Sequence, residues 1–270
     1  MPELPEVQTV IDYLKKEIIG LKIKQIEIKN EKFLKNTAIG IFKEKLINKK
    51  IVDIKRKGKY LIFELDNSLF MVVHLRMEGK FFVDQKKINR KHDYLIFDLT
   101  EKFLAYNDSR QFGTFHLTDN IEELKELKKV AIDPLDDKFD VNYLKNKLDK
   151  LRKEIKVLLL DQTIVSGIGN IYASEILFDA KISPFKKANE LSMDELERIV
   201  VSSKKILKLA LKYNGTTIHT FSFGENKTGE FNKLLKVMNQ ANKKCYICST
   251  NIVRIKQQSR STFYCPQCQK

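Results

Sequence analysis

All four cysteines of the chain fall in its last 26 residues, as Cys245-x2-Cys248 and Cys265-x2-Cys268 with sixteen residues between the pairs. A two-residue gap lets both thiolates of a knuckle face one ion. Two knuckles joined by a hairpin complete a tetrahedral S4 shell around Zn²⁺, with Zn–S bonds of about 2.3 Å. Four thiolates leave no open coordination position, so a metal held here is structural. Two disulfides are the competing use of the same residues, but they need an oxidising compartment, and the chain has no charged-then-apolar secretory segment. Between the knuckles, Ile252-Val253-Arg254-Ile255 and Ser261-Thr262-Phe263-Tyr264 alternate as hairpin strands, with Gln257, Gln258, Ser259 and Arg260 at the tip. Arg260 is either a solvated tip residue or a phosphate contact.

With 270 residues, 43% of them hydrophobic, the chain is long enough for two domains beside this appendage. Fifty Lys and Arg against 35 Asp and Glu leave a net charge of +15, with a pI near 9.4. The counterpart of such a field is nucleic acid or an anionic membrane surface. No run approaches about 18 apolar residues, so a spanning protein is not expected. The chain reads as soluble and intracellular. High Lys, Ile and Asn usage also follows genomic base composition, so charge alone does not decide the partner.

Short β-rich segments at 21–28, 50–56, 60–65, 70–75, 80–83, 94–99, 102–108 and 114–117 follow a first helix. Their spacing and polar turns suggest an antiparallel sandwich or barrel. The acidic, proline-containing stretch from Ala131 to Asp137 reads as a linker. Helical periodicity then dominates at 141–148, 153–161, 170–179 and 193–213, the last with Leu196, Ile199, Val200, Leu207, Ala210 and Leu211 on one face.

The N-terminal Pro2-Glu3-Leu4-Pro5-Glu6 carries two readings. Removal of Met1 exposes a secondary amine beside a carboxylate, and with a reference pKa of about 8 an α-amino group has an appreciable neutral fraction at neutral pH. Its condensation with a sugar carbon gives an iminium with no N–H proton to lose, an electron sink for elimination. Glu3 supplies the proton transfers. Equally, Pro5 and Glu6 suit a helix start, and Val7, Val10, Ile11, Leu14 and Ile18 form a helical stripe closed by Gly20. Ser166-Gly167-Ile168-Gly169-Asn170 opens another helix, as a tight connection or as a phosphate-holding turn. It lacks the dinucleotide fingerprint. Arg110 and Phe112, two apart, project together towards a base stack or split between rim and core, and Met77 by type alone is core. His74, His92, His116 and His219 lack zinc-protease spacing.

Taken together, these segments resemble the formamidopyrimidine-DNA glycosylases along essentially the full chain. The resemblance is carried by the N-terminal PELPEV, Lys57-Gly58-Lys59-Tyr60, HLRMEGKF from His74, Lys91-His92-Asp93, Asp108 to Gly113, LLLDQ with GIGNIYASE, Asn214-Gly215-Thr216-Thr217, and Arg260 through Cys268. It implies an α+β protein: an N-terminal antiparallel β-sandwich with flanking helices (1–130), a linker (131–140), a helix–two-turns–helix domain (141–235) and a C-terminal zinc β-hairpin finger (236–270), with DNA between them.

By that resemblance Pro2 is the nucleophile at the sugar C1′ and Glu3 the acid/base. Lys59 assists β-elimination, and Arg260 binds phosphate and assists δ-elimination. Met77, Arg110 and Phe112 fill the gap left by an everted nucleotide. His92, Arg152 or Lys153, Lys156 and Asn170 fall at or near the family's phosphate-contact positions, and a lesion loop lies around 216–229. Cys245, Cys248, Cys265 and Cys268 hold one Zn²⁺. The expected partner is double-stranded DNA containing an oxidised purine, bound by a cytoplasmic monomer. Three departures stand out: Ser109 where the family commonly has proline, an exchange expected to loosen the loop; Gln8 for a frequent glutamate; and Val237-Met238-Asn239-Gln240 for a frequent Val-Tyr-Gly-Arg. The endonuclease VIII-like relatives, which act on oxidised pyrimidines, usually carry glycine at the position of Leu4 and lack the full Met-Arg-Phe trio. A non-enzymatic zinc-containing DNA-binding protein suits the charge and the finger but has no use for a free Pro2.

Overall fold

The computed structural model describes residues 1–66, 68–216 and 228–270. The lesion-loop segment 217–227, with His219 and Thr217, lies outside the described residues. The chain forms two compact units, Met1–Lys128 with Asn214–Gly229, and Lys129–Tyr213 with Glu230–Lys270.

The first unit opens with α1 (Leu4–Ile18), whose start is a reciprocal capping box between Glu3 and Glu6. Its apolar stripe, Leu4, Val7, Val10, Ile11, Leu14 and Ile18, is fully buried. Then come β1 (Ile23–Ile28), α2 (Ile39–Leu46), β2 (Ile51–Lys57), β3 (Tyr60–Leu65), β4 (Phe70–His74), β5 (Lys80–Asp84), β6 (Asp93–Leu99), β7 (Phe103–Asn107), β8 (Thr114–Thr118) and the single turn α3 (Lys125–Lys128). All eight expected strands are present. They form two antiparallel four-stranded sheets, ordered β1-β6-β7-β5 and β2-β3-β4-β8. Inward residues of both sheets share one core with α1, and Phe63, Phe81, Tyr106 and Phe115 interlock edge-on or tilted at its centre, with centroids 4.8–6.4 Å apart.

The second unit holds α4 (Val141–Leu148), α5 (Ile155–Leu159), α6 (Asn170–Asp179) and α7 (Met193–Lys212), then the hairpin β9 (Val253–Gln257) and β10 (Arg260–Tyr264). A second capping box, Ser192 with Glu195, starts α7. Leu196, Ile199, Val200, Leu207 and Ala210 are buried, with Leu211 half-buried. α5 is shorter than the expected 153–161. Glu154 is extended instead, because it pairs with Lys187 while the Lys153 carbonyl accepts the Ala188 N–H. No described helix is long and apolar enough to cross a membrane.

Candidate functional site

In the first unit, Met1 is exposed while Pro2 is buried and Glu3 is only 3% exposed. The polypeptide turns inward at the residue whose nitrogen Met1 masks. Glu6, 2% exposed, fixes this turn: Oε2 accepts the Glu3 N–H at 2.8 Å and Oε1 accepts the Thr216 N–H at 2.7 Å. One carboxylate thus joins the start of α1 to Thr216. Gly215 has φ +77°, and a Cβ there would stand 2.6 Å from Glu6 Oε1, so glycine is required on both counts. The local sequence showed Glu6 only as a helix-start residue; a partner 210 positions away leaves no local signal.

Lys59 is buried at the β2–β3 turn. Nearby His74 is also buried, its ring edge-on to Tyr60 at 4.6 Å and its Nδ1 accepting the Arg76 N–H at 2.9 Å. Burial first, then the charges of Arg76 and Lys59, lower the His74 pKa to about 3, so this imidazole is neutral.

The trio Met77, Arg110 and Phe112 stands on two loops that are linked to each other. Phe112 is 53% exposed, Met77 is exposed, and the Arg110 guanidinium lies 5.1 Å from the Phe112 ring centroid. Met77 is therefore a surface residue and not core. Fully buried Asp108 organises the second loop: its carboxylate accepts the N–H groups of Arg110 (3.1 Å), Phe112 (3.0 Å) and Gly113 (2.9 Å), and the Tyr106 hydroxyl at 3.2 Å. Any side chain at Gly113 would strike Tyr106, since a Cβ would fall 1.7 Å from its Oη. Ser109, in place of the family's common proline, has a partner of its own. Its hydroxyl donates to the Glu78 carboxylate and ties the arginine loop to the methionine loop. His92 lies beside them, half-buried: its carbonyl accepts the Asp108 N–H, and Tyr94 Oη contacts both His92 Nδ1 (3.3 Å) and Gln111 Nε2 (2.7 Å).

In the second unit, Arg152 and Lys153 are exposed on the approach to α5. Lys156 is different. It is 1% exposed, and its ammonium donates to Asn170 Oδ1 (2.9 Å), Thr262 Oγ1 (2.8 Å) and the Ser261 carbonyl (3.3 Å). Asn170, at the start of α6, donates in turn to the Ser261 carbonyl at 3.0 Å. The Ser166–Asn170 turn is braced by Gln162, which accepts the Gly167 N–H and donates to the Leu160 and Ile168 carbonyls. Buried Glu175 accepts the N–H groups of Lys236, Val237 and Met238 at 2.8–3.0 Å, and so shapes the segment in which the family's tyrosine and arginine are replaced. Burial raises the Glu175 pKa against the pull of those three donors. Arg260 is exposed at the hairpin tip.

The four cysteine sulfurs lie within 4.8 Å of one another, with Cys245 Sγ 3.9 Å from Cys268 Sγ and Cys248 Sγ 3.5 Å from Cys265 Sγ. A disulfide needs about 2.05 Å. A tetrahedron with metal–sulfur bonds of about 2.3 Å has edges of roughly 3.8 Å. The donor set and its spacing therefore fit one structural Zn²⁺ and not two disulfides.

Three family models match in chain order: the formamidopyrimidine-DNA glycosylase N-terminal domain over residues 1–115, the H2TH domain of the same glycosylase over 130–222, and the zinc finger found in FPG and IleRS over 242–270. The formamidopyrimidine-DNA glycosylase of Ureaplasma parvum is 50% identical, with all of both chains covered. Among solved structures, a Lactococcus lactis FPG mutant in complex with Fapy-dG containing DNA matches with a TM-score of 0.94 at 38% identity, and MutM in complex with carbocyclic 8-oxo-G containing DNA matches at 0.93 and 38%, each covering 100% of both chains.

Proposed function

The chain belongs to the formamidopyrimidine-DNA glycosylase family, and on that premise we propose that Pro2, freed by removal of Met1, is the nucleophile of its reaction. The protein is a bifunctional DNA glycosylase and abasic-site lyase that removes oxidised purines from duplex DNA. The Pro2 nitrogen bonds to C1′ as the C1′–N bond to the base breaks, and the departing base takes a proton from solvent. Glu3 accepts the proton shed by the Pro2 nitrogen and delivers it to O4′ as the C1′–O4′ bond opens, which leaves the iminium. Loss of a C2′ proton then expels the 3′-phosphate as C3′–O breaks. Loss of a C4′ proton expels the 5′-phosphate as C5′–O breaks. Hydrolysis returns Pro2.

The observation that carries this assignment is the buried Pro2–Glu3 pair anchored by Glu6. We assign Lys59 to β-elimination and Arg260 to phosphate binding and δ-elimination. Met77, Arg110 and Phe112 occupy the vacated stack, with Arg110 towards the unpaired base. Their exposure on linked loops supports this, because occupying the hole offsets the few kcal/mol that base flipping costs. His92, Arg152, Lys153 and Asn170 take phosphates, and Lys156 acts from within through Asn170. Functionally the chain divides as 1–130 for catalysis, 131–140 as linker, 141–235 for holding DNA and 236–270 as the finger, whose cysteines bind one structural Zn²⁺. The enzyme works as a single chain on DNA, in the cytoplasm where bacterial DNA resides.

Borohydride trapping on 8-oxoguanine duplex tests the nucleophile. The expected adduct maps to residue 2 and disappears when Met1 is retained. An adduct on Lys59, or full base removal with Met1 attached, overturns the assignment.

A further inference from the structure

Gln257 closes β9, and in the hairpin register it sits directly opposite Arg260. Unlike its neighbours at the tip it is only 8% exposed, and its amide is fully engaged. Nε2 donates to Glu154 Oε2 at 2.6 Å and to the Pro184 carbonyl at 3.0 Å, and Oε1 accepts the Thr262 hydroxyl at 2.8 Å. That hydroxyl also receives the Lys156 ammonium. The side chain of Gln257 therefore pins the strand end opposite Arg260 to Glu154, the residue that caps α5. The Arg260 side chain makes no hydrogen bond or ion pair with any described residue, while its backbone is paired in the hairpin. Its aim is set by the hairpin that carries it.

We propose that Gln257 is a positioning residue for Arg260, and that the Glu154–Gln257–Thr262 chain governs how far the lyase reaction runs, from β-elimination on to δ-elimination. This rests on the role in δ-elimination proposed for Arg260. The physical case is geometric: a buried amide with both donors and its acceptor in use holds one orientation, and a misplacement of about 1 Å in a reacting constellation can cost on the order of 10²-fold.

The test is the ratio of β,δ to β-only cleavage products from a preformed abasic-site duplex. Only molecules that have formed the Pro2 intermediate contribute to that ratio, so the fraction of misfolded protein drops out. Arg260→Ala sets the reference. If it leaves the ratio unchanged, the role of Arg260 is wrong, independently of Gln257. Given a δ-deficient Arg260→Ala, Gln257→Leu is expected to lower the β,δ to β ratio by about tenfold while the rate of borohydride trapping changes by less than about twofold. Gln257→Glu, which sets two carboxylates together, should behave alike, and adding Glu154→Gln should move the ratio back towards wild type by restoring an amide–carboxylate bond. A wild-type ratio in Gln257→Leu, or a double variant no better than Gln257→Glu, overturns the proposal.

Discussion

His74 and Lys156 are both buried, and they use burial in opposite ways. The His74 ring titrates at about 6.5 when unfolded and at about 3 when folded, so the folded state disfavours its proton. Its contribution to stability is complete above the unfolded value and is lost as pH falls from there towards 3, by up to about 1.4 kcal/mol per pH unit. His74→Gln keeps an acceptor for the Arg76 N–H but does not titrate. Denaturant titrations should show the fall in unfolding free energy between about pH 6 and about pH 4 flattened by roughly 2 kcal/mol in that variant; an unchanged acid limb would refute it. Lys156 is instead enclosed by acceptors, its Nζ donating to Asn170 Oδ1, Thr262 Oγ1 and the Ser261 carbonyl. Lys156→Met takes this donor from Asn170 Oδ1 and Thr262 Oγ1, while the Ser261 carbonyl keeps its bond from Asn170, and each buried acceptor left unsatisfied costs about 1–3 kcal/mol. It should lower the melting temperature of the full chain while leaving the salt dependence of DNA binding unaltered, the reverse of what a phosphate contact would do.

At the scale of elements, period-2 alternation with polar turns showed all eight sandwich strands, and capped 3.6-residue periodicity showed α1, α4, α6 and α7. Pairing order was not legible, since β1 lies beside β6 and β5 beside β7 across long stretches of chain. The shortened α5 follows from the same cause: pairing of its approach with Lys187 outweighs local helical preference. Side chains that brace the site, Glu6, Glu175 and Gln257, looked ordinary because their partners are 210, 61 to 63 and 103 residues away. The finger was legible because its chemistry is local. Its hairpin has only two strands, too few to be stable alone, so metal supplies what a core would, an apparent binding energy of about 10–16 kcal/mol in zinc-finger peptides. Elemental analysis should give one zinc per chain, falling towards zero in Cys248→Ser with loss of amide protection in β9 and β10. Full protection without metal would show that the hairpin folds by itself.

For the molecule as a whole, a net charge of +15 makes association with DNA a counterion-release process. Each phosphate neutralised contributes about 0.9 to the slope of log affinity against log salt. Arg152→Ala and Lys153→Ala, both at exposed positions, should each reduce that slope by about one and weaken binding to undamaged and lesion-bearing duplexes alike. A loss confined to lesion-bearing DNA would place them in recognition instead. The inward turn at Pro2 has a different kind of consequence, one for the gene. With Pro2 in the role proposed for it, any uncleaved extension ahead of residue 2 turns its amine into an amide and silences the product, so a permanent affinity tag or fusion partner belongs after Lys270. A reaction that runs on a terminal nitrogen makes the trimming of the first residues part of catalysis itself.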